Sequence, residues 1–229
     1  MGIAEDVRRE IRQVLNTAFT TRVGYVVPEA EDVRLGNDAV KLKGTVLYAD
    51  LSASTEMVDG YKDWFAAKMY KCFLIGACRM IRFYGGVITA FDGDRVMAVF
   101  IGNLKNSSAA RASLAINWTT MRINQEVHAK YPNCDFAMNH TVGVDTSELF
   151  VARTGIRGSN DLVWVGRAAN YAAKLSGLDA GYGALLTEDV YDSMPDSKKF
   201  SVNGDAMWQR LNWHEFNMTI YGSTWTWSP

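Results

Sequence analysis

The sequence predicts an α+β domain, with helices covering one face of a largely antiparallel sheet. Three observations lead there. Apolar runs of strand and helix length follow one another as strand, long helix, hairpin, helix, strands, helix, strand. Two apolar runs flank Asp92-Gly93, which is the strongest short hairpin signal in the chain. No repeat of solenoid length and no low-complexity tract interrupts this order.

Composition narrows the function classes. Of 229 residues, 48% are hydrophobic, enough for one sizeable core or one core with appendages. A formal net charge of -1 argues against a dedicated nucleic-acid binder. No apolar run reaches transmembrane length and no secretory signal opens the chain, so a cytoplasmic protein without a stable membrane anchor is expected. The start lacks the Ser or Thr at position 6 that a myristoylation pattern needs. Cys72, Cys78 and Cys134 are odd in number, show no metal spacing, and read as buried thiols. His128, His140 and His214 are scattered and make no zinc pattern.

Residues 5–17 place Val7, Ile11, Val14 and Leu15 at helical spacing opposite Arg8, Arg9 and Arg12. Such a helix packs on its own domain or on a second copy. A membrane-surface role is disfavoured by Glu5, Asp6 and Glu10. Residues 24–36 contain Pro28, are acidic and show no period, so residues 1–39 read as a helix and linker ahead of a single main domain at 40–229. That domain opens with a strand at 43–49. A helix begins near 58–61 and runs to 84, with Leu74, Ile75, Cys78 and Ile81 on one face, until Gly85-Gly86 ends it. The hairpin follows, with strands at 87–91 and 94–100. A second helix at 107–129 turns Ala112, Ala115, Ile116, Thr119 and Ile123 inward. Strands are expected at 136–144, 149–153 and 162–165, a helix at 167–176, a strand at 184–187 and a short helix at 188–194. The last thirty residues carry Trp208, Leu211, Trp213, Phe216, Ile220, Trp225 and Trp227, which read as short aromatic strands closing the sheet.

The chemistry concentrates in two places. Asp50 ends the first strand and is followed by Leu51-Ser52-Ala53-Ser54-Thr55, small and hydroxyl residues leading into a helix. A carboxylate there offers a hard oxygen ligand, and the backbone N–H groups after it can face anionic oxygens. Asp94 follows the hairpin turn. If the first strand lies beside that hairpin, the two carboxylates meet, repel, and call for a cation, most simply Mg²⁺ or Mn²⁺. Two such ions suit phosphoryl transfer. The second place is the helix from Arg167, where Ala168, Tyr171, Ala172 and Leu175 form an inward stripe and Arg167, Asn170 and Lys174 share the other face. An amide and two cations on one stripe suit a sugar and a phosphate. Each feature also has a plainer reading: a strand-end cap, ordinary turn residues, a solvated helix face.

Taken in order, the Asp50 stretch, Gly93-Asp94 with Val99-Phe100, and Val165-Gly166-Arg167-Ala168-Ala169-Asn170-Tyr171-Ala172-Ala173-Lys174-Leu175 resemble the class III nucleotidyl cyclases over about residues 40–194. The resemblance implies a ferredoxin-like α+β catalytic domain acting as a head-to-tail homodimer with shared active sites. It implies two metal ions on Asp50 and Asp94, a ribose contact from Asn170, and a transition-state cation at Lys174, the last two supplied by the partner chain.

Departures from the family pattern carry further information. Lys174 stands where arginine is usual, keeping the charge and losing the planar fork. Arg167 stands where an acidic residue is common, so its local contact must differ. The purine-reading positions hold Ala90 and Val163, which leave a purine's polar edges unpaired. Tyr48, two residues before Asp50, narrows the slot toward a pyrimidine; its plainer reading is a core tyrosine. The stretch 153–167 is similar to the bacterial anti-phage pyrimidine cyclases of the Pycsar systems, in which a cyclic pyrimidine nucleotide is read by a separate cyclic-nucleotide effector. UTP is favoured as substrate because uridylate cyclases are the larger part of that group. Alternatives left open are a cytidylate cyclase, a purine cyclase, and a non-catalytic nucleotide-binding module. Arg153 and Arg157 are candidates for the triphosphate or plain surface arginines.

Overall fold

The computed structural model describes residues 2–229. The chain begins with helix α1 (Ile3–Asn16) and strand β1 (Thr20–Val23), then enters the long strand β2 (Asp38–Leu51). Helices α2 (Ser54–Gly60) and α3 (Asp63–Phe83) follow, then the hairpin β3 (Val87–Asp92) and β4 (Arg95–Phe100) and helix α4 (Lys105–Lys130). The second half holds β5 (His140–Ile156), β6 (Ser159–Val165), α5 (Arg167–Ser176), β7 (Ala184–Thr187), α6 (Glu188–Asp192), β8 (Gln209–Trp213) and β9 (Met218–Ser223).

Among the described residues, the strands form one sheet in the order β3-β4-β2-β5-β7-β9-β8, with β1 added to β2 and β6 to β5. Among the pairings of these described strands, β1–β2 and β5–β7 are parallel and the rest antiparallel. Period-2 patterning sorts the strands' side chains. Leu47, Ala49 and Leu51 of β2 face a core built with α3 and α4, whereas Val40, Leu42 and Val46 face a second core that includes Ala168, Ala169 and Ala172 of α5. Helices therefore lie on both faces, not on one as expected. Gly143 permits this: a Cβ there would stand 2.1 Å from the Ala172 carbonyl oxygen and 2.6 Å from the Ser176 nitrogen, so only glycine lets α5 lie down on β5.

Other expectations need correction. The boundary expected at residue 40 falls inside β2. The supposed linker contributes β1 to the sheet and buries Val33 completely. Every residue of β1 is exposed, so no alternation marks it as a strand. Strands expected at 136–144 and 149–153 are one strand, β5; the polar run Asp145-Thr146-Ser147-Glu148 is part of its ladder with β2. Helix α2 opens at Ser54, earlier than expected. Cys72 is exposed, although Cys78 and Cys134 are partly covered. The aromatic tail supplies β8 and β9 and buries Trp208 and Trp213, but residues 224–229 are in no strand and Trp225 is exposed. Helix α1 does not pack on its own domain: none of its residues is buried, and its end is tied down by Asn37, whose side-chain N–H groups donate to the Val14 and Thr17 carbonyls.

Candidate active site

The sheet brings both proposed metal ligands together. Asp50 is the penultimate residue of β2. Its parity with Val46 and Tyr48 puts it on the face that carries α5. Asp94 sits in the two-residue turn Gly93-Asp94 itself, one position before the returning strand, with Gly93 at φ +61. Two-residue hairpin loops with glycine first match the twist of their strands. Burial pushes the Asp50 carboxyl above its ordinary value, the Asp94 charge adds to the rise, and Arg95 opposes it. Oδ2 of Asp94 is buried with no hydrogen-bond partner. An orphaned buried carboxylate oxygen beside a second carboxylate is costly unless a cation joins them, so these residues fit a divalent metal. Among the described residues no group of three or more His, Cys, Asp or Glu side chains surrounds a metal position. Two carboxylates are hard oxygen donors of the kind a divalent metal takes.

The loop after Asp50 is partly committed. The Ser52 N–H donates to the Asn139 carbonyl at 3.0 Å, so not every N–H from 51 to 55 is available for phosphate, whereas the sequence suggests that all of them are. Ala53 adopts the left-handed conformation, φ 56 and ψ 35, which is costly for a residue with a Cβ and sets the loop against the start of α2. Residues 51–55 line an open cleft of ≈ 1370 Å³ together with Asn117, Asn124 and His140, the last the cross-strand partner of Leu51. Burial pulls the His140 imidazole down to about 4, so it stays neutral, with Nε2 2.9 Å from the Asn117 Oδ1.

Tyr48, Met97 and Ala90 form one row across β2, β4 and β3, because Met97 pairs with both of the others. Arg95 has the parity of Met97, and its guanidinium lies 5.5 Å from the Tyr48 ring centre while donating to Asp92 at 2.7 Å. Sequence reasoning missed Arg95. Alternation along Arg95-Val96-Met97 would have placed it beside Tyr48.

Val163 and Arg153 are not in that row. Val163 pairs with Ala152, which pairs with Ala39, nine residues down β2 from Tyr48. Arg153 donates to the Asn160 side chain at 2.6 Å across the β5–β6 hairpin. On α5, Asn170 is exposed. Lys174 is half-exposed, and its Nζ is 2.7 Å from Oε1 of Glu215. Among the described charges that act on Asp50, the cation is Arg95, not Lys174. The unusual Arg167 finds its acids inside the chain: it donates to both oxygens of the fully buried Asp145, to the Thr146 carbonyl and to Asp189.

No family model matches the chain. Full-length relatives do. It is 51% identical over 231 residues to a protein from Xanthomonas perforans named uridylate cyclase, with 99% of each chain covered. It is 49% identical to a uridylate cyclase from Burkholderia cepacia, with 100% of each covered. The chain belongs to the uridylate cyclase family. Its fold is that of the class III nucleotidyl cyclases. The crystal structure of the adenylyl cyclase CyaB from P. aeruginosa matches with a TM-score of 0.68 at 21% identity, covering 81% of this chain and 95% of that one. That of the guanylyl cyclase Cya2 matches with a TM-score of 0.66 at 18% identity, covering 82% and 95%.

Proposed function

We propose that this chain converts UTP to 3′,5′-cyclic UMP and pyrophosphate, in sites that two copies share head to tail. The observation that carries the proposal is the Asp50–Asp94 pair with its orphaned Oδ2. Bound there, two divalent ions, Mg²⁺ or Mn²⁺, would acidify the ribose 3′-hydroxyl and neutralise charge on the leaving phosphates. The 3′-oxygen bonds to the α-phosphorus, the bond from that phosphorus to the bridging oxygen breaks, pyrophosphate departs, and the hydroxyl proton passes to solvent. Asp50 and Asp94 are the residues that would hold the ions, and the ions would supply positive charge for the triphosphate. The N–H groups of Ala53, Ser54 and Thr55, which the sheet does not use, point the loop at the outer phosphates. Asn170 orients the ribose and Lys174 steadies the charged α-phosphoryl group, both from the partner chain. Arg153, across the same interface, serves the phosphates.

Tyr48 fills the space a purine's second ring would need, in one row with the small Ala90, and Val163, which lies outside that row, would reach the base only from the partner chain. Arg95 keeps further N–H donors after its bond to Asp92, and these suit the O4 acceptor of uracil. Cytosine presents an amino donor at the same place, so Arg95 favours UTP over CTP. The apolar stripe of α1 is assigned to the same dimer. Its polar face carries Glu5, Asp6 and Glu10 against Arg8, Arg9 and Arg12, a balance that offers an anionic membrane nothing. No helix among the described residues is long and apolar enough to cross a membrane. A cytoplasmic setting and a defence role, with cyclic UMP read by a separate effector, complete the proposal. The test is incubation of the purified protein with UTP, CTP, ATP and GTP plus Mn²⁺. Cyclic UMP as the dominant product is expected. Equal turnover of all four, or metal-independent turnover, would sink it.

A further inference from the structure

Lys174 is asked to place a single ammonium at one point, on a flexible four-carbon stem with no intrinsic direction. The structure shows what gives it direction. One of its three N–H donors has a carboxylate oxygen of Glu215 at 2.7 Å, and Nζ stands 5.0 Å from the Phe216 ring centre. These two groups are consecutive in the short 3-10 turn His214–Phe216, which Asn217 closes in the left-handed conformation. The turn is fastened to α5. Tyr171, one turn before Lys174, meets Phe216 at 5.1 Å and Trp213 at 5.4 Å, and Trp213 meets Phe216 at 4.5 Å. Trp213 belongs to a buried cluster with Leu175, Leu185 and Ile220, against which Tyr171 and Phe216 pack. An ordinary surface ion pair joins two mobile side chains and fixes neither. Here the carboxylate rides on a turn whose position the core sets.

We propose that Glu215 is the positioning residue for Lys174, and that the β8–β9 hairpin serves as the holder of the lysine that faces the α-phosphate. This rests on the reading of Lys174 given above. Glu215 stands behind the ammonium and occupies one donor, Phe216 covers its flank, and the two remaining N–H groups are left to point forward. Removing the carboxylate leaves nothing buried or unpaired, since both side chains are half-exposed. It frees the lysine to wander, and turnover suffers while substrate binding does not.

The test uses the full chain with UTP and Mn²⁺, measuring kcat, KM and melting temperature for Glu215→Gln, Glu215→Asp, Lys174→Ala and Lys174→Arg. Glu215→Gln is expected to lower kcat about tenfold, as one misdirected charge contact does, with KM changed less than about twofold and the melting temperature unmoved. Glu215→Asp falls between. In the Lys174→Arg background the planar guanidinium needs no holder, so adding Glu215→Gln costs little more. Wild-type or raised kcat in Glu215→Gln, with Lys174→Ala inactive, overturns the positioning role and leaves the Lys174 reading intact. Wild-type turnover in Lys174→Ala overturns both.

Discussion

Asp94 and Arg167 are charged residues next to regular elements, and the chain treats them in opposite ways. Arg167 opens α5 saturated, with Asp145, Asp189 and the Thr146 carbonyl around its guanidinium, and Thr187 donates to Asp145 at 2.6 Å from behind. Asp94 closes the hairpin with one oxygen buried and unpartnered, beside a second carboxylate whose own proton affinity is raised. A saturated charge positions an element. An unsaturated pair is a request for something the chain does not contain. The two halves of the proposed site divide along this line: one half asks for cations, and the other is a finished platform that presents Asn170 and Lys174 outward.

The widest break in this comparison comes from disabling one half at a time. Asp50→Ala and Asn170→Ala should each lose turnover by on the order of a thousandfold or more, since in the proposed site the first removes a metal ligand and the second the ribose contact. Mixed at equal amounts with free exchange, half of the dimers carry one intact site of two, so about a quarter of wild-type turnover should return. A mixture as dead as its parts would mean the two halves never meet across copies.

Next in size is the platform. Arg167→Ala strands the buried Asp145 without its counter-ion, which should destabilise the fold by about 3 kcal/mol in urea melts. Asp94→Asn, by contrast, should leave the fold as stable as wild type or more so while abolishing turnover. If Arg167→Ala melts like wild type, the saturated network is ornamental and the contrast fails.

Asp50 sharpens the comparison through pH. Its carboxyl is raised above the ordinary value of 3.8, by burial first and by Asp94 second, so the folded protein binds that proton more tightly than the unfolded chain does. The stabilisation is present below the unfolded value and is lost as pH rises through the folded one. At neutral pH the metal-free fold therefore carries an uncompensated charge. Asp50→Asn should raise the melting temperature of metal-free protein, Mn²⁺ should raise that of wild type, and Mn²⁺ should leave Asp50→Asn unmoved. A metal shift that persists in Asp50→Asn places the ion elsewhere.

How much of this the sequence could tell follows the same division. Asp50 and Asp94 were legible because a strand end and an Asp-Gly hairpin are local codes, and pairing the hairpin beside the first strand brought them together. The α5 stripe was legible because Ala168, Ala172 and Leu175 keep helical period. The saturating partners were not: Asp145 and Asp189 each lie 22 residues from Arg167, and Glu215 lies 41 from Lys174, beyond the reach of any local pattern. From sequence β5 reads as two strands because its middle is polar. The polarity at Asp145 is the network's own buried acid. Arg95 was within reach of simple alternation.

Helix α1 gives the smallest and last case. It is as clearly amphipathic as α5, yet its Val7, Ile11, Val14 and Leu15 all face solvent in the single chain. Amphipathic patterning says that a stripe will be covered, and it is silent about by what. A 14-residue helix is marginal in water without a partner, so α1 belongs with the unsaturated parts of the molecule. The stripe is short, and in the proposed dimer its burial would supplement an interface rather than make one. Deleting residues 2–16 should therefore leave kcat at saturating protein unchanged, and shift the concentration at which activity per chain falls off upward by about tenfold, or about 1.4 kcal/mol of association. Dilution series of wild-type and shortened protein, read by both activity and sedimentation, measure it. Superimposable curves would mean that α1 waits for some other partner than its twin.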